Sequence, residues 1–180
     1  MHHLRSLPVW HTVVPSDLGE LTLVRDEGGL RGLYFPHHWY RPKAASFGPR
    51  RDEGFDETAR QLTEYLAGER RVFELDSSPI GDPLQESVWD LVAGIPYGGT
   101  ATYGDLATWI GGVTAQQIGA AVARNPLSII VPCHRVVGRD GKLTGYAGGI
   151  GRKRHLLELE RERVCSAERI PYQDALISGL

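Results

Sequence analysis

Along residues 9–35 apolar and polar positions alternate in short runs: "VWHTVV" (9–14), "ELTLVR" (20–25) and "LRGLYF" (30–35). Turn formers separate them, Asp17-Leu18-Gly19 and Glu27-Gly28-Gly29. A period of two in β-rich runs with such punctuation predicts a small antiparallel sheet. From Trp39 to Gly54 the chain is rich in Pro, Gly and Arg and has no period, which predicts a loop. A helical period then starts, with Asp56 as N-cap, Ala59, Leu62 and Leu66 as the buried stripe and Gly68 as the stop. "VFEL" (72–75) predicts one more strand.

The stretch 76–83, with Asp76, Ser77, Ser78 and Pro79 followed by Gly81, Asp82 and Pro83, concentrates turn formers and reads as a linker. It divides the chain into an N-terminal α/β domain (1–78), a C-terminal domain (79–165) and a tail (166–180). Val88, Leu91, Val92 and Ile95 stand at i, i+3, i+4 and i+7, predicting a helix over 85–95 that stops before Pro96. Thr102 can cap a helix to about Ile110, Gly111-Gly112 breaks it, and Thr114 can cap a second helix to about Arg124, ended by Asn125-Pro126. Two short helices around a glycine turn fit a helix-turn-helix or an ordinary helical hairpin. In the second helix Ala115, Gly119, Ala120, Ala121 and Ala123 are small, which suits close approach to a groove and equally suits tight packing.

"LSIIVPCHRVV" (127–137) reads as a buried strand running into a turn, followed by a hairpin signal at Asp140-Gly141. Cys133 is then either an inert buried hydrophobe or a nucleophile. In the helix 151–164, Leu156, Leu157 and Val164 share one face, and Glu160 lies on that same apolar face. A carboxylate there needs a partner, because an unpaired charge in low dielectric costs several kcal/mol. Lys153 or an arginine could supply it. So could His134, in which case Glu160 would hold the imidazole tautomer while His134 takes the proton of Cys133 directly or through a water.

Composition narrows the setting. The chain has 180 residues, 41% hydrophobic and 23% charged, with no apolar run long enough to span a membrane and no secretory signal at its start. Two cysteines, Cys133 and Cys165, make no disulfide framework, which points to a reducing cytoplasm. Net charge is −2, yet residues 84–165 carry nine Lys/Arg against seven Asp/Glu, so the second half is better suited to meet phosphates.

"NPLSIIVPCHRVVGRDGKLTGYAGGIGRKRHLLELE" resembles the active-site region of the O6-alkylguanine-DNA alkyltransferases, also called methylated-DNA–protein-cysteine methyltransferases. The resemblance covers about 84–162, including "VWDLVAGIPYGGTATYGDLA", and extends loosely to "PSDLGELTL". It implies an α+β fold: a ribonuclease-H-like N-terminal sheet with a helix, and a C-terminal helix-turn-helix domain of winged-helix type. It also implies repair by irreversible transfer of an alkyl group from O6-alkylguanine, with O4-alkylthymine a further candidate, to Cys133. The partner would be double-stranded DNA with the damaged base flipped out.

By the same resemblance His134 acts as base through a water, Glu160 orients it, Asn125 braces the turn, and Tyr103 contacts phosphate and gives a proton to the leaving base. Tyr146 forms a pocket wall, the carbonyls of Cys133 and Val136 accept from the guanine amino group, and Ala115, Gln116, Gly119 and Arg135 complete the substrate-binding set. The thioether product cannot be hydrolysed nearby, so each chain acts once, as a monomer, with no cofactor and no membrane. Gln116 stands where the family usually places an arginine that fills the gap left by the flipped base, which predicts weaker duplex binding. The family's occasional zinc is not expected, because His2, His3, His11, His37 and His38 lie in the half that has no cysteine.

Other classes stay open at this level. A non-catalytic binder of alkylated DNA would leave the thiol idle, a cysteine hydrolase would need an oxyanion hole for which no signature stands out, and a helix-turn-helix regulator would leave Cys133 unexplained.

Overall fold

A computed structural model describes residues 8–164; the expectations for His2, His3, Cys165 and the tail 166–180 lie outside the described residues. Strands β1 (Trp10–Val14), β2 (Leu21–Asp26) and β3 (Gly29–Tyr34) form an antiparallel sheet in that order, with a bulge between Val24 and Arg25. β2 is buried almost throughout because both sheet faces are covered. Leu21, Leu23, Leu30 and Leu33 enter the main core, while Val24 and Tyr34 pack with Phe47 in a smaller cluster. Phe47 comes from the aperiodic 39–54 segment, where a 3-10 turn (Ala44–Phe47) seats its ring against Tyr34.

Helix α1 (Asp56–Leu66) differs from expectation at its start. Phe55, in helical conformation and without a side-chain cap, takes the N-cap position. Asp56 and Glu57 instead occupy the first turn, where carboxylates meet the positive end of the helix dipole. The face that is buried is Thr58, Gln61, Leu62 and Tyr65.

The strand expected at 72–75 is absent. The side-chain amide of Gln61 takes over the backbone of Glu74, accepting its N–H (2.8 Å) and donating to its carbonyl (3.0 Å). Only Ser77, further on, bridges to Leu30.

Helix α2 (Pro83–Ala93) starts two residues before the expected boundary because Asp82 and Gln85 form a capping box and Pro83 fits the first helical position. The short strand β4 (Ala101–Thr102) leads into α3 (Tyr103–Ile110) and α4 (Ala115–Ala123). Both helices begin with capping boxes, Thr102 with Asp105 and Thr114 with Gln117. Between them Gly111 and Gly112 take φ of 72° and 68°, which glycine adopts without Cβ strain.

The strand expected over 127–137 is the main correction. Residues 127–132 form successive turns, with Val131 N–H donating to Leu127 O and Cys133 N–H to Val131 O, and with Ile129 at φ 71°. A 3-10 turn (Cys133–Arg135) follows, and only Val136–Val137 form a strand, β5, parallel to β4. The expected reversal at Asp140-Gly141 is present, with φ of 59° and 74°, but it joins no long strands. Helix α5 (Ile150–Arg163) closes the described chain.

The architecture is α+β, as expected. One continuous core runs from Leu21, Leu23 and Leu33 through Tyr65, Val88, Trp89 and Val92 to Ile118 and Leu156. The edge of β3 also grips the turns before Cys133: Leu33 N–H donates to Pro126 O (2.7 Å) and Ser128 N–H to Leu33 O (3.3 Å). Among the described residues no helix is long and apolar enough to cross a membrane.

Candidate active site

Cys133 opens the 3-10 turn, buried to 4% exposure. Its sulfur accepts from Asn125 Nδ2 at 2.8 Å, and its S–H donates to Val122 O at 3.5 Å. Burial pushes the thiol pKa up to about 12, against smaller opposing effects of the Asn125 hydrogen bond and the Lys153 charge. The resting group is therefore a neutral thiol, and any displacement by it needs a base. Asn125 holds the turn together: its Nδ2 also donates to Val131 O (2.9 Å), and its Oδ1 accepts from Leu127 N–H (2.8 Å).

His134, the next residue, turns away from the thiol's partners toward α5. Its Nε2 lies 2.7 Å from Glu160 Oε1, and both side chains are fully buried. Glu160 also receives Arg135 through Nε and Nη2 (3.0–3.1 Å), the Gly98 N–H at 2.9 Å and the Tyr65 hydroxyl. Burial opposes its ionisation, but the His134 and Arg135 contacts outweigh it and hold the carboxyl at about 2. An ionised carboxylate only accepts, so Nε2 carries the His134 proton and Nδ1 is left as the basic nitrogen. Nδ1 has no protein partner, and burial lowers the imidazole's pKa, keeping it neutral.

A cavity of about 190 Å³ opens over the thiol. Its wall combines Tyr103, Gly119, Val122 and Ala123 from α3 and α4 with Tyr146 and Gly145 after β5. Of the residues expected at the site, Cys133, Asn125, Tyr103, Tyr146 and Gly119 meet at this cavity; Tyr103 OH also donates to Gly145 O at 3.4 Å. His134 and Glu160 stand behind it. Val136 is buried beside the reactive turn, and the two carbonyls proposed to receive guanine are already engaged: Cys133 O accepts from Val136 N–H and Val136 O from Lys153 Nζ at 2.6 Å. Arg135 does not line the cavity; its guanidinium is spent on Glu160 and Ile95 O. Ala115 and Gln116 are exposed at the start of α4, outside the cavity.

Several residues of the site, or the parts they play in it, escape the sequence reading. Tyr65 reaches Glu160 from α1. Lys153 is fully buried and donates to the carbonyls of Val136 and Thr144 rather than pairing with Glu160; desolvation lowers its pKa to about 8. His38, and Trp39 at the start of the segment read as a loop, line the cavity, with His38 Nε2 3.1 Å from Ser128 Oγ. The sequence signal for this pair is slight: His38 is weighed only as a zinc ligand, and Trp39 only as the start of an aperiodic run. Among the described residues no group of three or more His, Cys, Asp or Glu side chains is placed to hold a metal ion.

Fold and site together define a helix-turn-helix protein that holds a buried thiol, backed by a histidine–carboxylate pair, at the floor of a cavity. Residues 83–162 match the DNA-binding domain, and 9–79 the ribonuclease-like domain, of 6-O-methylguanine DNA methyltransferase, so the chain belongs to that family. It is 42% identical over 153 residues to a methylated-DNA–protein-cysteine methyltransferase of Methanosarcina acetivorans, covering 84% of this chain and 98% of the relative. A Mycobacterium leprae protein of the same name is 38% identical over 168 residues, covering 93% and 97%. A crystal structure of Mycobacterium tuberculosis OGT in complex with DNA superposes with a TM-score of 0.80 at 42% identity, covering 85% of this chain and 93% of that one. A Methanococcus jannaschii O6-methylguanine DNA methyltransferase shares the fold, at 24% identity and a TM-score of 0.62 over 88% and 98%.

Proposed function

We propose that this chain repairs DNA by moving an alkyl group from O6 of guanine onto Cys133, once per chain. The observation that carries the reading is the buried Cys133 thiol on the cavity floor, backed by the His134–Glu160 pair. The thiol proton passes through a water to His134 Nδ1, and the Glu160 charge stabilises the imidazolium that forms. The sulfur then attacks the alkyl carbon in line; the C–S bond forms as the C–O bond breaks, and that electron pair stays with the base. Tyr103 OH supplies a proton to the leaving guanine and regains one from His134, so the thiol proton ends, in net, on the base.

A thioether is left, and no neighbouring group can cleave it. The amount of O6-methylguanine removed should therefore equal the amount of protein and then stop. Continued removal beyond one equivalent would contradict the reading. The binder alternative leaves the whole buried relay without a task.

The DNA partner is a duplex approached by α4, whose exposed N-terminal side offers Ala115, Gln116 and Ala120, with the damaged base rotated out into the cavity. The protein acts as a monomer in a reducing cytoplasm, which keeps the single described thiol free. Gln116 lacks a charge, whereas its neighbour Gln117 is tied into the helix cap. Gln116→Arg is expected to tighten binding to duplex DNA containing O6-methylguanine severalfold in a titration by fluorescence anisotropy. Unchanged affinity would rule out a deficit at this position.

A further inference from the structure

We infer that Tyr65 is a positioning residue of the reaction, supplied by α1 in the N-terminal half: its hydroxyl holds the Glu160 carboxylate and, through it, sets the basicity of His134. This rests on the reading of His134 as the base. Tyr65 is fully buried, and its hydroxyl donates to Glu160 Oε1, the same oxygen that accepts from His134 Nε2. The same hydroxyl lies 3.3 Å from His134 Nε2. One phenol thus touches both members of the relay, although it is 69 residues from His134 and 95 from Glu160 in the chain.

The ring is seated independently of these bonds, at 5.0 Å from the Phe73 ring and 5.8 Å, edge-on, from Tyr97. The hydroxyl can therefore be removed while the ring stays packed.

The consequence has a definite sign. A donor on Oε1 disperses the carboxylate charge and so weakens its pull on the His134 proton. Without the hydroxyl that charge is less compensated, the imidazolium is better stabilised, and His134 becomes more basic. Less of it is neutral at a given pH, so the acid limb of the transfer rate moves to higher pH. The other groups facing the pair stay in place: Arg135 and Cys133 on the reactive turn, Lys153 on α5, Tyr146 with its ring 6.5 Å from His134, and Tyr97 with the Gly98 N–H after α2, Arg71 lying 5.8 Å over the Tyr97 ring.

The test is the single-turnover rate of methyl transfer from duplex DNA against pH, for the wild-type chain, Tyr65→Phe and Phe73→Leu, with DNA affinity measured alongside. Phe73→Leu perturbs the same packing without touching either hydrogen bond. Tyr65→Phe is expected to move the acid limb up by about one pH unit, a roughly tenfold rate loss below the limb, with DNA affinity unchanged and the Phe73→Leu limb where the wild type has it. A Tyr65→Phe profile that superposes on an active wild type overturns the role of Tyr65 alone, as does an equal shift in Phe73→Leu. A wild-type chain that transfers nothing overturns this inference together with the reading of His134.

Discussion

Cys133→Ala is expected to abolish alkyl transfer while leaving the protein folded and bound to DNA. In the proposed reaction the sulfur is the one atom on which the new bond forms, and no other described thiol exists to replace it. Removal of a nucleophile from an assembled site costs at least about a thousandfold in rate. The turn should survive, because Asn125 keeps its bonds to Val131 O and Leu127 N–H when the sulfur contact is gone. The void left by one sulfur atom costs about 1 kcal/mol. In the proposed docking the duplex is held by the outer face of α4, away from the thiol, so anisotropy titrations should give the wild-type value while single-turnover transfer falls to background. Loss of DNA binding in step with activity would show that the thiol holds the fold rather than performing the transfer.

Glu160→Ala is the second large effect, and it strikes both stability and rate. In the native chain the carboxylate collects His134, Arg135, Tyr65 and the Gly98 N–H in a fully buried site. Deleting it strands the Arg135 guanidinium in low dielectric, and breaking a buried pair in this way costs about 3–5 kcal/mol. Denaturant unfolding should register that loss. Transfer by the fraction that remains folded should fall by about a hundredfold or more, the range of a general base that has lost its tautomer and orientation.

The pH dependence carries a sign as well. The Glu160 carboxyl is held at about 2 against an ordinary 4.5, so its contribution to stability is present above about 4.5 and disappears as pH falls toward 2. His134, with its folded pKa lowered by burial, works in the same direction, since the unfolded chain takes up its proton first on acidification. The wild-type chain should therefore lose stability steeply in acid, and Glu160→Ala should lose less over the Glu160 window. Parallel acid profiles would place the ion pair elsewhere.

How far these features were legible depended on whether their cause was local. α3 and α4 fell where expected because Thr102, Thr114, the Gly111-Gly112 break and Asn125-Pro126 act within a few residues. Glu160 was legible as an anomaly because helical spacing alone puts it on the apolar face; which cation met it was not, since Arg135 arrives from a separate turn. The run 127–137 was misread as a strand because an apolar stretch carries no sign of how its backbone is paired. Here the amides are satisfied within successive turns and by the edge of β3. Tyr65, His38 and Trp39 reach the site only through tertiary packing between the sheet half and the helical half, and Lys153 is buried because backbone carbonyls converge on its ammonium.

The central claim is that Cys133 becomes the carrier of the alkyl group. Incubating the wild-type chain with duplex DNA containing O6-methylguanine and weighing its proteolytic peptides tests it directly. The account predicts a gain of one methylene unit on the peptide bearing Cys133 and on no other. A Cys133 peptide of unchanged mass, with the DNA bound and its lesion intact, would contradict it.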